Sequence, residues 1–295
     1  MQRRDPRFGR GEHQISEEPS VNVDQVKLEL LRLFRSPDYK PPVLPAVAVE
    51  LLALTQKRSV NVAEVSRLLS KDPMLAGQVL KIAQSAAYSR GEPVRSLDDA
   101  IVRLGLSRIS DLFLRAALEM KVFRAAGYDH EMEALRLHSA FTAEAVRIVC
   151  RHSIGLDDYA FLCGLLHDVG IAACILALTE LAKKNKTKLD FEHVWPGLRE
   201  IHAACSEMLA KIWQLPADIA LVLSLHHTMV FEGRVHPLAA AVAVADGLAD
   251  EVGFGFHGEM TAVQTESAAQ MLGLDAGTLD RIRSATVDLA KSFKS

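Results

Sequence analysis

The spacing of apolar and polar positions predicts helices along nearly the whole chain. From residue 23 onward, apolar residues recur every three to four positions, as on the buried face of an amphipathic helix. No segment keeps the strict alternation that is typical of a half-buried strand. We therefore predict an all-α fold.

Helix start and stop signals divide the first half of this pattern. Asn61, Asp72 and Ser96 each precede an apolar run and are favoured N-cap residues, and Pro73 suits the first turn of a helix. The predicted helices are 23–34, 44–56, 62–69, 73–85, 97–105 and 107–123.

Longer helices are predicted after the turn at residues 127–129. They are 130–152, 157–181, 191–214, 216–230 and 237–251, followed by a linker at 252–255 and two shorter helices. Gly127 marks the most plausible boundary between two helical subdomains. The first 22 residues are polar, of mixed charge, and lack the apolar core of a signal peptide, which predicts a disordered tail and a cytoplasmic protein.

Composition and charge exclude several classes of function. Apolar residues make up 49% of the chain, and the net charge of −3 offers no broad attraction to nucleic acid or to an anionic membrane. The apolar stretch 160–178 contains His167 and Asp168, which would be costly in lipid, so we predict a buried core helix there. The four cysteines form no C-x-x-C pair and are interpreted as reduced core thiols.

Seven histidines and aspartates in the second half carry the candidate chemistry. Each lies in a segment predicted to be helical, so they could form one inward-facing cluster that several helices supply. They are His138, His167, Asp168, His202, His226, His227 and Asp246.

Imidazole and carboxylate ligands without thiolate suit divalent Mn, Fe, Zn, Co or Ni and select poorly among them. Adjacent side chains on one helix diverge by about 100°, so His167 could hold one metal while Asp168 bridges to a second. Two such ions would activate a water and clamp a phosphoryl group.

The same residues also allow a simpler interpretation. Asp168 lies among apolar residues, where an unpaired carboxylate would be costly. Histidine or backbone donors could satisfy it as well as a metal could. A catalytically inert polar network in the core therefore stays open as an alternative.

The series of seven residues resembles the ligand series of the HD superfamily, including its HD-GYP branch of cyclic-dinucleotide phosphodiesterases. The flanking sequence is closer to the HDOD family of bacterial signalling domains. The matching segments are 44–47 (Leu-Pro-Ala-Val), 72–76 (Asp-Pro-Met-Leu-Ala), 83–88 (Ala-Gln-Ser-Ala-Ala-Tyr), 96–105, 164–170 (Gly-Leu-Leu-His-Asp-Val-Gly) and 213–216 (Trp-Gln-Leu-Pro).

The resemblance implies an HD-like helical bundle at 127–251, preceded by an N-terminal helical subdomain at 23–126 and followed by C-terminal helices at 252–295. It also implies that the seven residues are metal ligands and that the protein is a regulatory or scaffold module of bacterial signalling. Such a module would bind a signalling protein or a nucleotide-like ligand.

Two departures bear on the alternative of a metal-dependent phosphohydrolase acting on a substrate such as a cyclic dinucleotide. Hydrolytic relatives often carry a phosphate-binding lysine where this chain has Ile171. The Asp-Gly-x-Gly-Tyr-Pro segment of the HD-GYP branch is replaced at 228–237, where Arg234 is the one cation. Both departures favour the regulatory module over the enzyme.

Overall fold

A computed structural model describes residues 23–55, 61–85, 94–155, 159–185, 189–258 and 260–294. Within these residues the chain forms fourteen helices and one short β-hairpin, which confirms the all-α prediction. The tail predicted to be disordered at 1–22 lies outside the described residues, as do residues 86–88 of the 83–88 segment.

The first six helices lie close to their predicted positions. They are α1 (Val23–Phe34), α2 (Ala46–Thr55), α3 (Val62–Leu69), α4 (Pro73–Ala83), α5 (Leu97–Leu104) and α6 (Leu106–Lys121). The predicted caps are confirmed, because Asn61, Asp72 and Ser96 each accept a hydrogen bond from a backbone N–H two or three residues later, at 2.9–3.0 Å. Helices α2 to α6 pack against one another.

Eight further helices follow. They are α7 (Asp129–His152), α8 (Ala160–Leu166), α9 (Val169–Asn185), α10 (Phe191–Ile212), α11 (Ala217–Leu225), α12 (Pro237–Glu251), α13 (Ala262–Met271) and α14 (Ala276–Lys294). Helix α12 packs against α7, α8, α11, α13 and α14, and residues 238–249 are all buried. It is therefore the central helix of this half.

The apolar stretch across α8 and α9 belongs to the core. Ala160–Lys184 is long and apolar enough to cross a membrane, but 94% of its most apolar window is buried inside the protein. Helix α8 contacts α7, α11 and α12, and α9 contacts α10. This burial is what the buried polar pair at its middle led us to predict.

Two predicted helices differ in the structure. The helix predicted at 157–181 is interrupted at His167 and Asp168, where a hydrogen bond from the N–H of Gly170 goes to a side chain of α10. The helix predicted at 216–230 ends at Leu225.

A hairpin replaces the end of that second helix. Strands β1 (Val230–Phe231) and β2 (Arg234–Val235) pair antiparallel around Glu232 and Gly233, whose φ angles of 49° and 75° are left-handed. A two-residue turn with both φ angles positive matches the twist of a hairpin, and Glu-Gly is a weaker signal for it than Asn-Gly or Asp-Gly.

The N-terminal helix α1 packs against α9 and α10. The segment between α1 and α2 is tied to the end of α10, because the indole N–H of Trp213 donates to the carbonyl of Pro42 at 2.8 Å. The subdomain boundaries at 126 and 251 stay predictions.

Replacing Trp213 by Phe should therefore weaken the attachment of this segment. Trp195→Phe is a matched control, because its indole N–H has no hydrogen-bond partner among the described residues. We expect Trp213→Phe to lower the free energy of unfolding in urea by about 1 kcal/mol more than Trp195→Phe does, which is the usual contribution of one buried hydrogen bond. Equal losses would show that the bond to Pro42 contributes nothing.

Candidate metal centre

The seven predicted side chains meet where α7 to α12 converge. They are His138 on α7, His167 and Asp168 between α8 and α9, His202 on α10, His226 and His227 after α11, and Asp246 on α12. Six of them are at most 1% exposed, and His227 is half-buried. The structure thus brings all seven together.

Two glycines let the helices that carry these residues approach closely. A Cβ atom on Gly164 of α8 would lie 2.8 Å from the Cα of Ala143 on α7. A Cβ atom on Gly170 of α9 would lie 2.0 Å from the carbonyl oxygen of His202 on α10. Because the glycine adds no side chain of its own at either contact, histidines on neighbouring helices can reach one another.

The seven residues divide into two groups that could each hold a metal ion. The first group comprises His138, His167 and Asp246. The Nε2 atoms of its two histidines lie 3.1 Å apart, and Oδ1 of Asp246 lies 3.4 Å from Nε2 of His138 and 3.9 Å from Nε2 of His167.

The second group comprises Asp168, His202, His226 and His227. Nε2 of His202 lies 3.2 Å from Nε2 of His226 and 2.9 Å from Nε2 of His227. Three imidazole nitrogens therefore face one point.

Asp168 lies between the two groups. Its Oδ2 atom is 3.4 Å from Nε2 of His138 and 3.3 Å from Nε2 of His167. Its Oδ1 atom is 3.4 Å from Nε2 of His202 and 3.4 Å from Nε2 of His226. Each carboxylate oxygen thus faces a different pair of histidines.

Backbone carbonyls fix the orientation of four of these rings. In each, Nδ1 lies 2.7–2.9 Å from a carbonyl oxygen; the pairs are His138 with Phe254, His167 with Gly164, His202 with Arg199, and His226 with Leu223. Since a carbonyl only accepts, Nδ1 carries the hydrogen, and Nε2 of the neutral ring keeps a lone pair. The Nε2 atoms of His138 and His167 lie 3.1 Å apart, and those of His202 and His226 lie 3.2 Å apart. Because lone pairs face each other within each pair of rings, a proton or a cation is needed between them.

The two carboxylates of the site also require a proton or a cation. Both oxygens of Asp168 and Oδ2 of Asp246 are buried without a hydrogen-bond partner among the described residues. A buried carboxylate in this condition is costly unless a positive charge compensates it.

The donor atoms fit divalent cations. Donors bound to one ion at about 2.1 Å are separated by about 3.0 Å in octahedral and about 3.4 Å in tetrahedral geometry, and most separations here fall in that range. No cysteine belongs to either group. The seven residues therefore match a nitrogen and oxygen site for a divalent transition metal.

Burial and neighbouring charges give the two groups different electrostatics. Burial alone would lower the pKa of His167, but Asp168 and Asp246 raise it to about 9. Burial opposes ionisation of Asp168, yet the surrounding histidines hold its pKa well below the usual range. Burial lowers the pKa of His202 to about 4 and, together with neighbouring imidazoles, that of His227 to about 2. These two rings are therefore neutral, the form that binds metal.

The sequence model of the HDOD domain family matches residues 42–229, which is more than half of the chain. The chain belongs to the HDOD family. Outside the matched residues, Asp246 on α12 and the carbonyl of Phe254 still take part in the centre.

Three solved structures share this HDOD fold. An HDOD domain protein of unknown function from Geobacter sulfurreducens has a TM-score of 0.70 at 22% identity, covering 93% of this chain and 99% of its own. A candidate metal-dependent phosphohydrolase from Shewanella amazonensis SB2B has a TM-score of 0.69 at 19% identity, covering 92% and 99%. A candidate signal transduction protein from Marinobacter aquaeolei VT8 has a TM-score of 0.69 at 21% identity, covering 93% and 66%.

A sequence relative is found in Treponema pallidum (strain Nichols). This uncharacterized protein is 23% identical over 215 residues, or 70% of the present chain. The chain spans 41% of that relative's length.

The two departures noted in the sequence have clear structural counterparts. Ile171 is fully buried in α9, so its position offers no cation to a phosphate. Residues 228–237 contain the hairpin, and Arg234 lies on its exposed second strand.

Two contributions to this HDOD centre were missed from the sequence. The carbonyl of Phe254 orients His138, and a backbone group leaves no side-chain signal. Ser206 contacts the junction between His167 and Gly170. It lies four residues after His202, so it shares a helical face with a predicted ligand, which was an available signal.

The close approach at Gly170 predicts a strong effect of a single methyl group. Gly170→Ala should lower the free energy of unfolding by about 3 kcal/mol or more, because its Cβ would overlap backbone atoms of α10. Gly77 on α4 is the matched control, since its Cβ would meet nothing within 4 Å. Gly77→Ala should stabilise the protein by about 0.5–1 kcal/mol. Urea unfolding would measure both, and a mild loss in Gly170→Ala would contradict the close approach.

Proposed function

We propose that this HDOD protein is a cytoplasmic regulatory module of bacterial signal transduction, with a dinuclear metal centre. It acts by binding a signalling protein partner or a nucleotide-like ligand. The observation that carries the proposal is a complete set of ligands enclosed in the core, six of the seven being at most 1% exposed.

The two groups of donors suggest how two ions would be held. His138, His167 and Asp246 would bind one ion, and the second group's three histidines would bind the other. Asp168 would bridge them, because each of its oxygens faces one group. Fe, Mn, Zn, Co and Ni all suit this donor set.

Enclosure favours a regulatory role over hydrolysis. A phosphodiester would have to reach the ions through residues that are packed in the core, and Ile171 supplies no cation for its phosphate. In a regulatory module the ions would instead compensate the buried carboxylates and hold α7 to α12 in one arrangement, so that metal binding contributes to folding.

A metal-dependent phosphohydrolase is the second candidate. Its specific support is His227, which belongs to the second group and is half-buried. Two divalent ions in such a site would supply an activated water and charge stabilisation for a phosphoryl group. Substrate would then approach past His227 and the adjoining hairpin.

Metal content tests the centre itself. Plasma mass spectrometry of the purified protein should find about two divalent transition-metal ions per chain, and His167→Ala should lose metal because it removes one ligand. His152→Ala is the control, since His152 is exposed and lies outside both groups. A wild type that stays empty after reconstitution would leave a polar core network as the correct interpretation.

Hydrolysis separates the two candidate functions. With added Mn²⁺, the wild type should hydrolyse bis-p-nitrophenyl phosphate no faster than His167→Ala or Asp168→Ala, because its centre is enclosed. Metal-dependent turnover that both variants lose and His152→Ala keeps would instead establish the phosphohydrolase.

A further inference from the structure

One hydroxyl group is inserted where the backbone between α8 and α9 is interrupted. The N–H of Gly170 donates to Oγ of Ser206 at 2.8 Å, and that hydroxyl donates to the carbonyl of His167 at 2.7 Å. The N–H of Ile171 donates to the carbonyl of Asp168, three residues back, at 2.9 Å. A side chain inserted into the helical hydrogen bonds is a known cause of a local kink.

The interruption lies at the pair of adjacent residues that enters the centre. On a regular helix their side chains would diverge by about 100°. Here Nε2 of His167 and Oδ2 of Asp168 lie 3.3 Å apart, and both face Nε2 of His138. His167 itself keeps helical dihedral angles, φ −53° and ψ −41°, and the backbone that Ser206 contacts carries two adjacent side chains that enter one site.

Ser206 is held firmly in this position. It is fully buried on α10, and its backbone packs so closely on Gly170 that a Cβ there would lie 2.6 Å from the nitrogen of Ser206. An α10 residue that is one turn beyond His202 thus supports ligands on another helix.

The hydroxyl also keeps the carboxylate of Asp168 available. An aspartate just before a helix commonly accepts a hydrogen bond from the second N–H of that helix, which in α9 belongs to Gly170. Ser206 takes that N–H, and both oxygens of Asp168 have no hydrogen-bond partner among the described residues.

We infer that Ser206 is a positioning residue for the metal centre: its hydroxyl holds the interrupted backbone at His167 and leaves Asp168 free to bridge. The consequence for metal rests on the proposed function. The effect on the backbone and on the ring of His167 does not depend on the proposed function.

Ser206→Ala tests this role, with Thr179→Val as the matched control. Thr179 is a buried residue of α9 whose hydroxyl donates to the carbonyl of Ile175, within its own helix. Competition with a chelator would measure the affinity for Mn²⁺ and Zn²⁺. We expect Ser206→Ala to bind at least about tenfold more weakly, as is usual when a group that orients a ligand is lost, and Thr179→Val to stay within about twofold of wild type.

A second measurement uses metal-free protein. By NMR, the amide of Gly170 in Ser206→Ala should exchange its hydrogen at least about tenfold faster, because its acceptor is gone. The ring nitrogen signals of His167 should also shift, whereas both signals should stay unchanged in Thr179→Val.

The two measurements distinguish a failure of the dinuclear proposal from a failure of the role inferred for Ser206. A wild type without metal would refute the dinuclear proposal, and the NMR comparison would still decide the role of Ser206. Unchanged Gly170 exchange and His167 signals in Ser206→Ala would overturn the inference. So would wild-type metal affinity in that variant when the wild type itself is loaded.

Discussion

The buried carboxylate of Asp168 is the constraint on which the second half of the protein depends. Its two oxygens have no hydrogen-bond partner among the described residues, yet the residue is fully buried. Such a charge is tolerated only where positive charge compensates it. Four imidazole nitrogens lie within 3.4 Å of those oxygens, where a protonated ring or a cation held by the rings would compensate the charge. Because they come from α7, α10 and the ends of α8 and α11, the requirement of one side chain fixes how several helices converge.

The sequence predicted much of this arrangement because the relevant signals are local. Histidines and aspartates inside apolar helical segments have to face the core, so the sequence alone predicts a single cluster. The caps Asn61, Asp72 and Ser96 also depend only on residues within a turn. The interruption at His167 was not predictable in this way, because its determinant, Ser206 on α10, lies 39 residues further along the chain. The hairpin was missed since Glu-Gly is a weak turn signal.

The division of the seven residues into two groups was also beyond the sequence. It depends on where each Nε2 atom points, and four of the rings are oriented by carbonyl groups of the backbone. The same donors would serve a structural centre or a hydrolytic one. What differs between these roles is access, which follows from the packing around the ligands rather than from their identity. The enclosure of six of the seven is therefore more informative about function than the ligand series alone.

The contribution of α12 and the residues after it has a consequence for how the protein is made. Both Asp246, which completes the first group, and the carbonyl of Phe254, which orients His138, follow the family-matched residues. A chain emerging from the ribosome therefore exposes the other six candidate ligands before Asp246. Until α12 docks, the candidate site is incomplete, so an ion that it binds would be captured only after α12 has docked.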